Sequence, residues 1–294
     1  MIKQLAKRTL PASLQRRIKG TLMVARKLRR TWYRRLIADK HLRSIKRGTR
    51  DRCWCGGELL PFQWHSSYGI CKLCGTYVNR RPPLREDLQR LYSLDLYWHL
   101  KQKVDGLPVI ERRTAHDLAD GRVDFWLTLI DRYAPPKGRI IEIGCAHGVL
   151  LQRLQQRGYD CIGVEIDPRL ADWTREQTGL DVRAGVFPGI DLPSCNLFLA
   201  MDVLEHSHDP QAFLRGASSL LNSGGIAILQ TTVDRYGEQP PFGIKFDYAF
   251  DDLEHLFIFT DQALLELGRR CGFAVINSSE RLWTMGEICV YRKD

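Results

Sequence analysis

The alternation of strand-like and helix-like runs between residues 139 and 230 restricts the fold of this 294-residue chain more than any other feature. The strand-like runs lie at 139–143, 161–164, 181–184, 196–201 and 225–230, and helix-like runs lie among them at 149–157, 168–178 and 210–221. Strands that alternate with helices in this way form a mostly parallel sheet with helices on both faces. We therefore predict an α/β fold with a doubly wound sheet, which binds its ligand at the carboxyl ends of the first strands.

The turn after the first strand, Gly144 to Gly148, is built of small residues but lacks the G-x-G-x-x-G spacing that binds a pyrophosphate. An acid, Glu165, follows 17 residues after Gly148, where a carboxylate can accept hydrogen bonds from ribose hydroxyls. A second acid, Glu142, lies inside the first strand, where it suits a ligand ammonium group better than a phosphate. S-adenosylmethionine meets both conditions, because it has an adenosine head, an amino-acid tail and no phosphate.

Several motifs resemble those of the class I S-adenosylmethionine-dependent methyltransferases, in particular the branch with the ubiquinone-pathway O-methyltransferases and the zinc-ribbon sugar methyltransferases. They are Glu142-Ile-Gly-Cys-Ala-His-Gly148, Gly163-Val-Glu165, Met201-Asp-Val-Leu-Glu-His206 and Leu221-Asn-Ser-Gly-Gly225, followed by His255-Leu-Phe-Ile-Phe-Thr260 and Cys271-Gly-Phe273. The resemblance covers roughly residues 50–292 and implies a Rossmann-like fold. It also implies a set of cofactor-binding residues: Glu142, Gly144, Cys145 and Gly148 at the methionine end, Glu165 and Ile166 at the ribose, and Gly185 and Val186 near the adenine. Ala146 stands where the family has its middle glycine.

The segment from Asp202 to His206 follows the fourth strand and is the candidate catalytic segment. A hydroxyl acceptor must lose its proton, and a histidine can remove it. Some members of the resembled branch use E-x-x-E-H with a later histidine to hold a divalent cation, which lowers the pKa of the acceptor hydroxyl. The matching residues here are Asp202, Glu205 and His206, with His255 as a fourth ligand. Three interpretations stay open: His206 as a base without metal, a divalent cation site, and a helix cap without chemistry.

Four of the nine cysteines, Cys53, Cys55, Cys71 and Cys74, fall within 22 residues. Each pair is followed by glycine, as in the tight turns that wrap one tetrahedral zinc ion. The pattern predicts a structural Zn²⁺ in a ribbon at residues 51–80, with short strands at 59–64 and 75–79. A closed four-thiolate site stabilises the ribbon and performs no chemistry.

The N-terminal 50 residues form a basic arm, predicted as an amphipathic helix. Residues 1–52 hold 18 Lys and Arg against two acids, whereas the rest of the chain holds 26 basic and 32 acidic residues. The apolar face recurs at spacings of three and four: Leu14, Ile18, Leu22, Ala25, Leu28, Trp32 and Leu36. A basic amphipathic helix with a Trp on its apolar side suits an anionic membrane surface, here through residues 11–50. Packing on its own domain, nucleic-acid binding and a transit peptide are the alternatives.

Taken together, these features predict four parts: the arm (1–50), the ribbon (51–80), a helical connector or cap (81–138) and an S-adenosylmethionine-binding domain (139–294). The predicted function is methylation of a small-molecule acceptor, a sugar or lipid-linked glycan hydroxyl. The predicted location is the cytoplasm, because clustered cysteines in a chain without an export signal indicate metal binding in a reducing compartment. Peripheral attachment to the inner membrane face is an option, and no apolar run approaches the ~18 residues of a membrane span. An RNA or tRNA methyltransferase and a non-catalytic, cofactor-binding membrane adaptor are the alternatives. A net negative catalytic half makes nucleic acid the weaker partner.

Overall fold

The computed structural model of the protein describes residues 42–135, 137–233, 249–281 and 286–294. The helix predicted over Leu14 to Leu36, and with it most of the basic arm, therefore lies outside the described residues. Within the described ranges, no helix combines the length and the hydropathy that crossing a membrane requires.

The described residues form eleven strands and eight α-helices. The strands are β1 (Leu59–Pro61), β2 (Tyr68–Cys71), β3 (Tyr77–Asn79), β4 (Arg139–Ile143), β5 (Asp160–Glu165), β6 (Asp181–Ala184), β7 (Cys195–Met201), β8 (Leu221–Thr232), β9 (Phe257–Ile258), β10 (Phe273–Arg281) and β11 (Gly286–Lys293). The α-helices are α1 (Leu88–Leu91), α2 (Gln102–Asp105), α3 (Ile110–Ala119), α4 (Arg122–Tyr133), α5 (Val149–Gln155), α6 (Pro168–Thr178), α7 (Pro210–Leu220) and α8 (Asp261–Arg270). A π-helix spans Leu94–Lys101, and 3-10 turns span Arg85–Asp87 and Leu204–His206.

The main sheet has seven strands in the order β10-β11-β8-β7-β4-β5-β6. All neighbours from β8 to β6 pair in parallel, and β11 is antiparallel to both of its neighbours. The prediction of a Rossmann-like, mostly parallel sheet is therefore confirmed. The strand order reverses between β4 and β7, so the crevice between the loops that follow these two strands is where a ligand is expected.

Alternate residues of β4 enter the two hydrophobic cores of the domain. Ile141 and Ile143 pack towards the core that contains α7 and α8, whereas Ile140 packs towards the core that contains α4 and α5. This follows from the two-residue period of a strand. Full burial of one such side chain stabilises the fold by about 1.5–3 kcal/mol, so both faces of the sheet hold β4 and the turn after it.

Capping residues fix the termini of the two helices that flank the ligand crevice. Asp167 caps α6, since its side chain accepts a hydrogen bond from the backbone N–H of Arg169, and Gly179 ends this helix in the left-handed region. The helix α7 is capped by Asp209, whose side chain accepts from Ala212. The capping role considered for Glu205 and His206 therefore belongs to Asp209.

A second sheet joins the ribbon to the rest of the protein. Its strand order is β1-β2-β3-β9, and all its pairs are antiparallel. The strands predicted at 59–64 and 75–79 correspond to the shorter β1 and β3, whereas β2 was not predicted. The fourth strand, β9, comes from a part of the chain about 180 residues further on. The ribbon is thus built into the sheet structure of the domain.

Candidate active site

The turn after β4 forms one side of the ligand crevice. Gly144, Ala146 and Gly148 all have positive φ values, of 72°, 47° and 70°. A Cβ atom on Gly144 would lie 2.7 Å from a methyl group of Val203, in the loop that follows β7. The two loops therefore approach each other closely at the switch point, and only glycine fits there. Ala146 adopts the left-handed conformation without being glycine, which costs free energy and marks the turn as constrained.

Glu165, at the end of β5, lies beside this turn and is buried. One carboxylate oxygen accepts from the N–H of Ala146 at 3.2 Å, and the other accepts from the N–H groups of Ile166 at 2.9 Å and Asp167 at 3.4 Å. Burial raises the pKa of Glu165 to about 7, against the opposing effect of these N–H donors. The carboxylate thus connects the turns that follow β4 and β5.

Glu142, inside β4, is also buried, and its Oε2 atom has no hydrogen-bond partner in the described part of the protein. Burial, and next to it the charge of Glu165, raise the pKa of Glu142 to about 8. Buried polar atoms are normally partnered, so an unpartnered carboxylate oxygen in a ligand crevice requires an explanation. A ligand with a cationic or hydrogen-donating group would provide one.

The other residues expected at the cofactor have more varied environments. Cys145 is buried, and its sulfur would lie 2.6 Å from a Cβ on Gly163 in β5, so its side chain packs against that strand. The N–H of Gly185 donates to the carbonyl of Glu165 at 2.9 Å, while Val186 is 55% exposed at the rim. Ile166 is partly buried and contributes its N–H to Glu165.

The side chain of His147, in the turn after β4, joins this turn to the connector by hydrogen bonds, and no role was predicted for it. Its Nε2–H donates to the carboxylate of Asp117 at 3.1 Å, and its Nδ1 atom accepts from the hydroxyl of Thr114 at 3.1 Å. Arg113 also donates to Asp117, at 2.9 Å. The helix α3 therefore holds the turn from outside. No motif points to these contacts, because α3 itself was not predicted.

Glu205, His206 and His255 come together on the other side of the crevice, with ligand atoms within 4.8 Å of one another. The Nδ1–H of His206 donates to the carbonyl of Glu254 at 2.7 Å, and the Nδ1–H of His255 donates to the carbonyl of Ala249 at 2.8 Å. Each ring therefore carries its lone pair on Nε2. The rings stack with centroids 5.1 Å apart. Burial, and then the neighbouring His206, lower the pKa of His255, which favours its neutral form.

The carboxylate of Glu205 is fully buried, and its hydrogen-bond donors among the described residues are neutral. It accepts from the hydroxyl of Thr231 at 2.8 Å and from both the N–H and the hydroxyl of Thr232 at 3.2 Å. None of the ion pairs found among the described residues involves Glu205. A buried carboxylate normally has a cationic partner or a metal, so this cluster can bind a divalent cation.

Asp202, expected as the first residue of the same set, is not part of this cluster. Its carboxylate accepts two hydrogen bonds from the side-chain amide of Gln230, at 2.9 and 2.8 Å. The amide oxygen of Gln230 in turn accepts from the indole N–H of Trp126 at 2.9 Å. Asp202 itself has a φ of 56°. The contacts of Asp202 therefore run towards α4, and the cluster retains three of the four expected members.

Known proteins resemble this chain over most of the domain that contains the site. A family model described as a methyltransferase domain matches residues 111–278, more than half of the chain. The chain belongs to the class I S-adenosylmethionine-dependent methyltransferases. The match includes the glycine turn, both buried acids and the three-residue cluster. This methyltransferase also has the fold of a candidate O-methyltransferase from Nostoc punctiforme, with a TM-score of 0.50 and 17% identity over 59% of this chain and 56% of that one.

Similar curated proteins are named ubiquinone biosynthesis O-methyltransferases. The protein of Cereibacter sphaeroides is 32% identical over 100 residues, which are 32% of this chain and 40% of the relative. That of Xanthomonas campestris is 29% identical over 133 residues, or 41% of this chain and 52% of the relative. The methyltransferase therefore spans about half the length, or less, of the curated relatives it matches.

Aromatic and charged groups of the connector pack beside the histidines of the methyltransferase. The ring of Tyr92 lies 5.5 Å from that of His206, and the buried hydroxyl of Tyr92 has no hydrogen-bond partner among the residues that the structure describes. Lys101, at the end of the π-helix, forms ion pairs with Glu254 and, at 3.0 Å, with Asp251. Burial raises the pKa of Glu254. The π-helix, a conformation often found at functional sites, thus forms one wall beside the cluster.

The four ribbon cysteines converge as the sequence predicts. The Sγ atoms of Cys53 and Cys74 are 3.6 Å apart, and the Sγ atom of Cys55 lies 3.4 Å from that of Cys71 and 3.5 Å from that of Cys74. A tetrahedral ion with bonds of about 2.3 Å to sulfur would separate its ligands by about 3.8 Å. A Cβ on Gly57 would lie 2.5 Å from the sulfur of Cys71, so this position must be glycine for the chain to pass so close. The residues present fit a four-thiolate metal site.

Proposed function

We propose that this methyltransferase transfers the methyl group of S-adenosylmethionine to an acceptor hydroxyl. The observation that supports the proposal best is the unpartnered, buried carboxylate oxygen of Glu142 beside the glycine turn. The ammonium group of the methionine end would compensate this charge, which is costly when it is left alone. When bound, S-adenosylmethionine supplies a methyl group on a positively charged sulfur.

The protein's part is then to bind the donor and to orient the acceptor. A carboxylate has about four lone-pair positions, and three N–H groups occupy three of those of Glu165. One position remains for a ribose hydroxyl. Gly185 and Val186 lie beyond the end of β6, the strand that pairs with β5, and would contact the adenine.

The pH dependence of donor binding tests this arrangement. The pKa values of Glu142 and Glu165 are raised to about 8 and about 7, so below these pH values the ligand-free protein holds protons on both acids. A cationic ligand favours the ionised carboxylates and must expel those protons. We expect the Kd for S-adenosylmethionine to increase as the pH falls from 8 to 6, by up to about tenfold per pH unit for each proton released. Calorimetry in buffers of different ionisation enthalpy measures both the Kd and the number of protons released on binding.

The control for this measurement is Glu142→Gln, which removes one of the two titrating groups. Binding of S-adenosylmethionine to this variant should release up to one proton fewer than binding to the wild type. The affinity of the variant for S-adenosylmethionine at pH 8 should decrease. The ligand's own amine titrates equally with both proteins, so the difference between them isolates Glu142. A wild-type Kd that stays constant between pH 6 and pH 8 would contradict the assignment of Glu142 to the ammonium group.

We further propose that Glu205, His206 and His255 hold a divalent cation that binds the acceptor hydroxyl. The support is the buried Glu205 carboxylate, which has no cationic partner among the described residues, together with two histidines whose Nδ1–H groups donate to backbone carbonyls. Such outer hydrogen bonds are usual for histidines that bind metals through Nε2. Three protein ligands leave coordination positions for the acceptor. The alternative is that His206 acts alone as the base.

The acceptor we propose is a sugar or lipid-linked glycan hydroxyl. A second candidate, an acceptor of ubiquinone biosynthesis, is favoured by the names of the curated relatives. A screen with donor labelled in the methyl group, run separately against nucleotide sugars, lipid-linked glycans, phenolic quinone precursors and tRNA, distinguishes them. Transfer only to the phenolic arm would replace the first candidate by the second, and transfer only to tRNA would reject both.

We also propose that the basic arm attaches the enzyme to an anionic membrane, peripherally and from the cytoplasmic side. Described residues begin at Leu42, which packs in one apolar cluster with Ile45, Leu91 and Tyr92. The arm therefore joins the protein beside the wall of the three-residue cluster, where a lipid-linked acceptor would arrive.

Vesicle sedimentation tests this attachment. The protein should co-sediment with phosphatidylglycerol vesicles and not with phosphatidylcholine vesicles, because about 1 kcal/mol is gained per basic residue near an anionic surface. Replacing Arg29 and Arg30 by Glu should reduce the bound fraction, whereas replacing Arg183 in β6, which is partly exposed and pairs with Asp181, by Glu should not. Equal binding to both kinds of vesicle, or to neither, would favour an arm that packs on its own domain.

Finally, we propose that Cys53, Cys55, Cys71 and Cys74 bind a structural zinc ion. The sulfur–sulfur distances of 3.4 to 3.6 Å and the close approach of Gly57 support this. The site is closed by four protein ligands, so it contributes stability and no reaction step.

A further inference from the structure

The segment of residues 249–258, here the His255 segment, determines where both histidines lie. It contains His255, and its Ala249 and Glu254 supply the carbonyls that accept from the two histidine Nδ1–H groups. The strand β9 is its one strand, and it is two residues long. Regular secondary structure therefore does little to hold this segment, and its position depends on what packs against it.

The ribbon provides many of the polar contacts that hold the segment. The strand β3 pairs with β9, and the N–H of Asn79 donates to the carbonyl of Leu256 at 2.9 Å. The fully buried Tyr68 donates its hydroxyl proton to the carbonyl of His255 itself at 2.7 Å. Further along, Asp252 accepts from the hydroxyl of Ser67 at 2.6 Å.

Apolar contacts from the ribbon hold the other end of the segment. The ring of Phe250 lies between aromatic rings of the ribbon, 5.1 Å from Phe62, 5.1 Å from Tyr68 and 5.4 Å from Tyr77. Aromatic pairs at such distances add about 0.5–1.5 kcal/mol each beyond their buried area. Tyr68 is thus in contact with the segment twice, through its ring and through its hydroxyl.

The domain of residues 139–294 and the connector also contact the segment. The N–H of Leu256 donates to the carbonyl of Glu205 at 2.8 Å, and Lys101 pairs with Asp251 and Glu254. The segment is therefore held between Glu205 on one side and the ribbon on the other. A shift of the ribbon would move His255 relative to Glu205 and His206.

We propose that the ribbon is a positioning element of the active site and that Tyr68 is a positioning residue for His255. The proposal rests on the proposed function of the cluster formed by Glu205, His206 and His255. It differs from a purely stabilising role of the ribbon, because it predicts that a hydrogen bond outside the crevice controls the rate of methyl transfer. Tyr68 acts through the backbone of His255 and touches neither donor nor acceptor.

Two matched variants test this proposal. Tyr68→Phe removes the hydroxyl that donates to His255, and Tyr291→Phe removes an equally buried hydroxyl that donates to the carbonyl of Leu264 in α8, at 3.0 Å. Each variant leaves one buried carbonyl without its donor, so we expect similar decreases in Tm. We expect kcat to fall at least tenfold in Tyr68→Phe and less than twofold in Tyr291→Phe, with the Kd for S-adenosylmethionine unchanged in both. Equal kcat values in the two variants would overturn the proposal.

Amide hydrogen exchange provides a readout that needs no turnover. The N–H groups of His255 and Leu256 donate to the carbonyls of Asp251 and Glu205, and their exchange should be faster in Tyr68→Phe but not in Tyr291→Phe. Unchanged exchange would overturn the positioning role even if the enzyme proved to lack the proposed activity. If Tyr68→Phe does not fold, Ser67→Ala removes the hydrogen bond to Asp252 and should show the same faster exchange; wild-type exchange in that variant would overturn the proposal.

Discussion

Replacing His206 with alanine is expected to reduce methyl transfer by at least about 10²- to 10⁴-fold, the range that one acid–base group contributes. The Kd for S-adenosylmethionine should stay within about twofold of wild type. This separation follows because Glu142 and Glu165, the groups proposed to bind the donor, lie on β4 and β5, whereas His206 follows β7. Single-turnover transfer and calorimetry measure the two effects. His99→Ala, which removes a surface histidine paired with Glu111, is the control.

Chelation then distinguishes the two roles of His206. If Glu205, His206 and His255 hold a divalent cation, a chelator should abolish transfer, and added magnesium, manganese or zinc should restore it. If His206 acts alone, transfer should be indifferent to the chelator. Full turnover by His206→Ala on the true acceptor would reject both roles.

Replacing Cys71 with serine is expected to unfold the ribbon and to remove the bound zinc. Structural zinc contributes about 10–16 kcal/mol to the folding of small modules, far more than the ribbon's short strands can replace. Elemental analysis should find about one zinc ion per wild-type chain and none in the variant. Because β3 pairs with β9, we also expect methyl transfer to be lost, while donor binding by the main sheet persists.

Cys195→Ser is the matched control, because Cys195 is equally buried but lies in β7, away from the ribbon. It should retain the zinc and the order of residues 51–80. A wild-type protein that is free of metal yet ordered in the ribbon would contradict the zinc proposal. Retained zinc in Cys71→Ser would contradict the proposed ligand set.

Much of the main sheet could be predicted from local sequence patterns. Strand β6 has the predicted bounds. Helix α6 begins after Asp167, as Asp167-Pro168 predicts, and ends before Gly179, because caps and helix breakers act within a few residues. The extension of β8 back to Leu221 was not predicted, since Ser223, Gly224 and Gly225 indicate a turn. Local signals therefore determined the type of these elements more precisely than their ends.

The sequence predicts most residues of the candidate site, but it does not predict the hydrogen bonds that join them to the rest of the protein. Glu142 was found from its position inside the first strand and Glu165 from its position at the end of the second, and their burial agrees with a role in binding the donor. The orientation of Asp202 could not be found in this way, because Gln230, its partner, belongs to a different strand and no local pattern joins the two. The pairing of His147 with Asp117 depends likewise on tertiary packing.

The pairing of β3 with β9 also has a consequence for the order in which the protein is made. The ribbon leaves the ribosome early, whereas the strand that completes its sheet follows some 180 residues later. At synthesis rates of about 5–20 residues per second, the emerging ribbon has an unpaired strand edge for roughly ten seconds or more. During that interval the four thiols can already acquire metal, but the aromatic cluster around Phe250 cannot close. The candidate site is therefore completed only after residues 249–258 have been synthesised and meet the ribbon.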